Sequence, residues 1–233
     1  AAATPQPSEP AARPPAAASI AVLPLVNMSS DREQDYFSDG LSEELLNLLA
    51  QVPGLHVAGR TSSFSFKDGQ ATIGQIGRAL NVATVLEGSA RKSGSQLRIT
   101  AQLIKADDGY HLWSQAYDRE LTDIFAVQDE IAAAVVAALK LHLLPAQQPS
   151  TADHHIPGPA AYQHFLLGRQ LLNRASEDGF RRAVTEFGKA VALEPEYAAA
   201  FAGLALSVAY ASDYTESDAA LLAGRARASA AAE

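Results

Sequence analysis

The sequence has no cysteine, which excludes disulfides, zinc–thiolate centres and thiol nucleophiles together. It also has no run approaching the ~18 uninterrupted apolar residues that span a bilayer. Its first residues carry neither the charged start nor the apolar core of a secretion signal. Positive charge is scarce: 18 Lys and Arg stand against 26 Asp and Glu, a formal net charge of −8. Neutralising nucleic-acid phosphates takes a dense Lys/Arg stripe, so no nucleic-acid partner is expected. The glycines of "TIGQIGR" (72–78) lack the phosphate-loop lysine and the dinucleotide spacing, so no nucleotide cofactor is expected from them. What is present is globular composition, 48% apolar and 19% charged over 233 residues, enough for one large domain or two small ones.

Proline marks the organisation. Residues 1–18 hold five prolines and no large apolar side chain before Ser19, so they read as an Ala/Pro linker that extends rather than packs. A linker joins two things, and an upstream module is expected. Four more prolines lie in 145–160, a second linker. The expected layout is therefore a linker (1–18), an α/β domain (19–144), a Pro-rich linker (145–160) and an all-helical repeat region (161–233).

Between the linkers, periods of 2 and 3.6 alternate. "SIAVLPL" reads as a buried strand, and "SDGLSEELLNLLAQVPG" as a helix stopped by Pro53-Gly54. "LHVAGR" is a second strand. Thr72 followed by Gln75 forms a capping-box pattern opening a helix with Ile73, Ile76 and Leu80 inward. In "QLRITAQLI", Leu97, Ile99, Ala101 and Leu103 alternate with Gln96, Arg98, Thr100 and Gln102, between the turn signals "KSGS" and "ADDG". With "ATVLEGSAR" and "YHLWSQAYD" this predicts a three-strand meander. A last helix is predicted from Asp123 to Leu144, burying Val127, Ile131, Val135 and Leu139. The order β-α-β-α-β-β-β-α implies a mixed five-stranded sheet carrying helices.

After residue 161 the pattern is helical, yet Pro195 stands inside it. A proline in a helix interior costs roughly 3 kcal/mol, so two helices with Pro195 in the turn are expected. Leu167, Gly168, Leu171, Ala183, Phe187, Ala190 and Pro195 match the tetratricopeptide signature, with the turn around "NRASEDGFR" lengthened by three residues. Phe201, Leu204, Ala205 and Val208 restart the series. Small residues at Gly168, Ala183, Ala190 and Ala205 are expected to let the helices approach. The second repeat, whose second helix would begin near Ser217, is incomplete; arrays need about three units, so the chain is expected to belong to a longer protein.

The runs "IAVLPLVNMS", "YFSDGLSEEL", "VAGRTSSFSFK", "VLEGSARKSG", "LRITAQLI" and "HLWSQAYDR" together resemble the TolB-amino-terminal-like (FlgO-like) domain of bacterial signalling proteins, over nearly all of residues 19–144. The resemblance implies an upstream effector, often a class III nucleotide cyclase domain or a winged-helix DNA-binding domain, commonly followed by a membrane span, with tetratricopeptide repeats downstream. It carries over no agreed catalytic residues, and no cofactor is expected. A span preceding Ala1 would make the chain the periplasmic region of an inner-membrane protein, its membrane contact made only through that segment; without one it would be cytoplasmic.

Candidate chemistry is thin. Asp153, His154 and His155 lie adjacent in a Pro-rich stretch without ligand spacing, so no metal is expected. His56 and His111 sit on predicted strands as core or surface residues. Asp39, Glu43 and Glu44 read as first-turn carboxylates that favour the helix dipole rather than acid–base catalysts. Arg60, Arg91 and Lys92 carry the charge to bind an anion, but the preferred reading is solvated strand ends. No catalytic residue is assigned to this chain. The expected function is a non-catalytic sensory, scaffolding and protein-interaction region of a signalling regulator; the alternatives are regulation of a nucleotide cyclase or of a winged-helix transcriptional regulator. Expected partners are a protein or peptide held by the helical repeats, and a second copy of the chain. Gln163, Arg169, Gln170, Asn173 and Ser207 are the candidate partner contacts on the repeats, and Trp113 is a candidate anchor at a sheet edge, beside Tyr110 and Tyr117.

Overall fold

Strand β1 (Ala16–Val22) and strand β2 (Val26–Asn27) both run parallel to strand β4 (Val82–Ser93), one after the other along the same edge. The computed structural model describes residues 16–31, 34–67, 69–139 and 157–214. The interruption between β1 and β2 has a local cause. Val22 pairs with Leu86 and Val26 with Ser89, so four steps on one strand meet three on the other. Pro24 has no N–H to give the ladder, and the N–H of Leu25 turns to Ser42 Oγ at 2.8 Å. Residues 16–18, expected in the linker, are the start of β1, with Ala16 in register with Val82. Residues 1–15 lie outside the described residues.

The chain continues through α1 (Asp35–Ala50), β3 (His56–Val57), α2 (Arg60–Phe64) and α3 (Ile73–Leu80) into the meander β4–β5–β6, where β5 is Gln96–Lys105 and β6 His111–Glu120. Helix α4 (Ile124–Ala138) follows a 3-10 turn. The mixed sheet has the order β3-β1-β4-β5-β6, with β2 also on β4, and so counts six strands rather than five. The meander register sets Ile99 opposite Ala90 and Tyr117, and Leu103 opposite Leu86 and Trp113.

Alternation along β5 puts Leu97, Ile99, Ala101 and Leu103 into one core with α1 and α4. Val127, Ile131 and Val135 of α4 are fully buried there, each contributing about 1.5–3 kcal/mol. Leu139 caps the helix half-buried, and residues 140–144 of the predicted helix lie outside the described residues. The opposite sheet face carries a smaller core of Ala21, Leu23, Val82, Val85, Ile76 and Ala106. Helix α3 covers it, opened by the Thr72–Gln75 capping box and closed by Asn81 in the left-handed conformation.

Helices α5 (Pro159–Asn173), α6 (Glu177–Leu193) and α7 (Ala198–Tyr214) pack in sequence. Pro195 lies in the turn between α6 and α7 as expected. The connection from α5 to α6 is not lengthened: only residues 174–176 are non-helical, and the additional length is taken up by the helices. Phe187, fully buried, fills a seat between two glycines. A Cβ on Gly168 would lie 3.0 Å from its ring and one on Gly203 2.5 Å. The same device joins α5 to the sheet side, where a Cβ on Gly40 of α1 would meet Leu166 at 2.6 Å. Tyr162 of α5 packs edge-on to Phe125 of α4 at 4.7 Å, and Gln128 Nε2 donates to its hydroxyl at 2.8 Å. One hydrophobic core therefore runs from Ile20 through Leu41 and Tyr162 to Phe187 and Ala200.

Candidate functional site

The charges of α1 and α5 meet in one cluster. Asp35 occupies the first turn of α1, which begins a turn earlier than the sequence suggested. Asp39, Glu43 and Glu44 are thus interior helix positions, and each faces a cation rather than the helix dipole. Arg169 of α5 donates to Glu43 Oε1 and to Glu44 Oε1. Arg60 Nε donates to Glu43 Oε2 at 2.9 Å while its guanidinium lies 4.2 Å over the Phe64 ring. Arg60 is therefore the first residue of α2 and a held side chain, not a solvated strand end. Burial works against the Arg169 charge, but the carboxylates of Glu44 and Glu43 outweigh it and hold its pKa above the ordinary value. Lys92 is also drawn in, its Nζ donating to Gln163 Oε1 at 2.8 Å, with burial lowering its pKa.

These contacts locate the candidate partner residues. Gln163, Arg169 and Asn173 lie along α5 and turn toward the sheet side, Asn173 reaching Glu43 Oε2 at 3.5 Å. Gln170 is half-buried on the same helix. Ser207 is buried and donates to Gly203 O at 2.7 Å, a contact within α7. Trp113 stands apart on the edge strand β6, half-buried against the main core, next to exposed Tyr110 and on the same face as buried Tyr117. The structure thus joins Arg169 and Asn173 with Glu43 and Glu44, sets Gln163 on Lys92 of β4, and leaves Ser207 and Trp113 separate. His56 and His111 are exposed, and Asp153, His154 and His155 lie outside the described residues.

Sequence reading missed a cleft. At the β1–β2 break a recess of about 850 Å³ opens, walled by Leu23, Pro24, Val26, Met28 and Phe66 and by the polar side chains of Ser38, Asp39, Glu87 and Gln102. Lys67 Nζ donates to both oxygens of Asp39 at 2.7 Å. Burial nonetheless raises the Asp39 pKa, although the lysine lowers it. The only advance signal was Pro24 within an apolar strand pattern, since proline there marks an edge or a bulge.

No family model matches the chain. It is 39% identical over 199 residues to the protein named "Putative adenylate cyclase 3" of Rhizobium meliloti, an alignment taking in 85% of this chain and 34% of that protein. The chain thus spans about a third of the length of that curated relative. Among solved structures it is similar to the LpoB C-terminal domain from Salmonella enterica, at 19% identity and a TM-score of 0.37, covering 46% of this chain and 84% of that one. It is also similar to lipoprotein GNA1162 from Neisseria meningitidis, at 20% identity and a TM-score of 0.38, covering 55% and 99%. Among the described residues, no helix is long and apolar enough to cross a membrane.

Proposed function

We propose that this chain is the regulatory and protein-interaction region of a larger bacterial signalling protein, in which a TolB-amino-terminal-like (FlgO-like) sheet unit is coupled to a tetratricopeptide array through α1 and α5. The observation that carries this reading is the Arg169 contact with Glu43 and Glu44, set beside the Gly40–Leu166 seat. A charged contact between two elements, largely withdrawn from water and backed by close packing, transmits displacement because it has few alternative arrangements. The tetratricopeptide assignment is supported by Gly168, Ala183, Phe187 and Ala190, which pack at the helix contacts where that signature needs small and large residues.

The parent's effector is best read as a nucleotide cyclase, supported by the name of the 39% identical relative; a winged-helix regulator is the alternative. A protein or peptide partner fits the outer faces of the array, where Leu193, Leu206 and Tyr210 are exposed. The purified chain should show no cyclase or nucleotide-hydrolase turnover. The full-length parent should change its output when Arg169→Met loosens the α1–α5 contact, with the isolated effector unaffected. Turnover by the purified chain that disappears in Glu43→Gln or Glu44→Gln would overturn the reading.

A further inference from the structure

We infer that the cleft at the β1–β2 break binds an alkylammonium or guanidinium group, with the charged end on Ser38 and the carboxylates and the alkyl chain against Val26, Met28 and Phe66. The hydroxyls around it show why Ser38 is singled out. Ser42 Oγ accepts from Leu25 N and donates to Ser38 O. The hydroxyls of Ser89 and Thr100 bond to each other at 2.7 Å. Ser38 lines the cleft, and its buried Oγ, in a residue 1% exposed, has no hydrogen-bond partner among the described residues. A buried hydroxyl left in that state is destabilising, and a donor entering the cleft would relieve it.

The charge of the lining selects the ligand. Asp35, Asp39 and Glu87 face the recess against Lys67 alone, and Lys67 is spent on Asp39. Glu87 Oε1 accepts from Gln102 Nε2 at 2.8 Å, and Asp35 Oδ1 from Asn27 Nδ2 at 2.8 Å. Each of these carboxylates keeps a second oxygen for a further donor. An anion would meet three carboxylates and no free cation among the described lining residues. The size is wrong for a bare metal ion and falls within the range of small organic ligands. Val26 and Met28, each 59% exposed at the mouth, supply the apolar surface that an alkyl stem covers.

The group reaches the cleft either as a free amine or as a Lys or Arg side chain of a partner polypeptide. Met28 is the single methionine of the chain, so its ε-¹³C-methyl resonance is an unambiguous reporter at the mouth. The full chain is titrated with 1,5-diaminopentane, with N-acetyl-lysine amide flanked by short peptide, and with hexanoate. Both or one of the cationic probes should shift the Met28 methyl saturably, and hexanoate should not. Saturation by the diamine alone assigns a free amine; tighter binding of the peptide assigns a partner side chain. Ser38→Ala and, independently, Glu87→Gln should each weaken the binding by about tenfold, the scale of one hydrogen bond to a charged group. Glu87 is the second variant because it lies on the sheet surface and its loss leaves the core intact. Failure of both cationic probes, an equal response to hexanoate, or unchanged affinity in a folded Glu87→Gln variant overturns the inference. The cleft and the α1–α5 coupling fail separately, since the Met28 shift reads only the first.

Discussion

Replacing Arg169 with Met tests the joint between sheet and helices in energetic terms. The arginine side chain is 14% exposed, and its partners Glu43 and Glu44 are 17% and 25% exposed. Breaking a fully buried pair costs about 3–5 kcal/mol, and an exposed pair contributes about 0.2–1 kcal/mol. At this partial exposure the loss should be about 2–3 kcal/mol, because Glu43 keeps Arg60 whereas Glu44 loses the cation facing it. For a chain of this size that corresponds to a melting shift of roughly 5–10 °C. Pairing Arg169→Met with Glu44→Met should restore much of the loss, since the double variant removes both desolvation penalties while keeping apolar volume. Chemical denaturation of the two single variants and the double gives the coupling, expected at about 1–2 kcal/mol. A cost below about 0.5 kcal/mol for Arg169→Met, or strictly additive effects, would refute the assignment of this contact as a structural joint.

Two further outcomes follow from other parts of the fold. Ile99→Asp puts an unpaired carboxylate at a fully buried position and should unfold the sheet unit, whereas Gln96→Asp on the exposed side should stay within about 0.5 kcal/mol; equal melting shifts would mean the β5 register is wrong. Burial alone would raise the Glu186 pKa, but its bonds from Lys189 and His164 outweigh that and hold it below the ordinary 4.5. A depressed carboxylate stabilises the fold above its unfolded pKa and loses that contribution as pH falls through the folded value. Glu186→Gln should therefore be less stable than the parent chain at pH 7, with the difference shrinking below about pH 4.5; a difference that grows in acid would contradict the pairing.

The legible parts of the fold were those written in short periods. Alternation from Leu97 to Leu103 set the meander, Thr72 and Gln75 announced a cap, and Pro195 announced a turn, because each depends on residues within a few positions of one another. The unread parts depend on distance in sequence. Arg169 and Glu44 are separated by 125 positions, so one read as a partner contact and the other as a helix-dipole carboxylate, and nothing local paired them. Gly203 sits in an Ala-rich run where nothing marks it as the second wall of the Phe187 seat. The start of β1 was lost because alanine carries no strand preference; its pairing with Val82 decides the matter. Helix α2 has five residues, too few for a period to emerge, and the carboxylate that holds its Arg60, Glu43, lies 17 positions away.

The coupling of helix array to sheet is tested most directly from the far side of the molecule. A Cβ on Gly203 in α7 would meet the Phe187 ring first, at 2.5 Å, while Trp113, the single tryptophan, lies on β6. Gly203→Leu overpacks the Phe187 seat, at a cost of typically about 1–3 kcal/mol. If α5 fixes the array to α1, denaturant unfolding of this variant followed through Trp113 fluorescence moves to a lower midpoint, coincident with the loss of helical ellipticity. A Trp113 midpoint that stays at the parent value while the helical signal melts earlier would contradict the account.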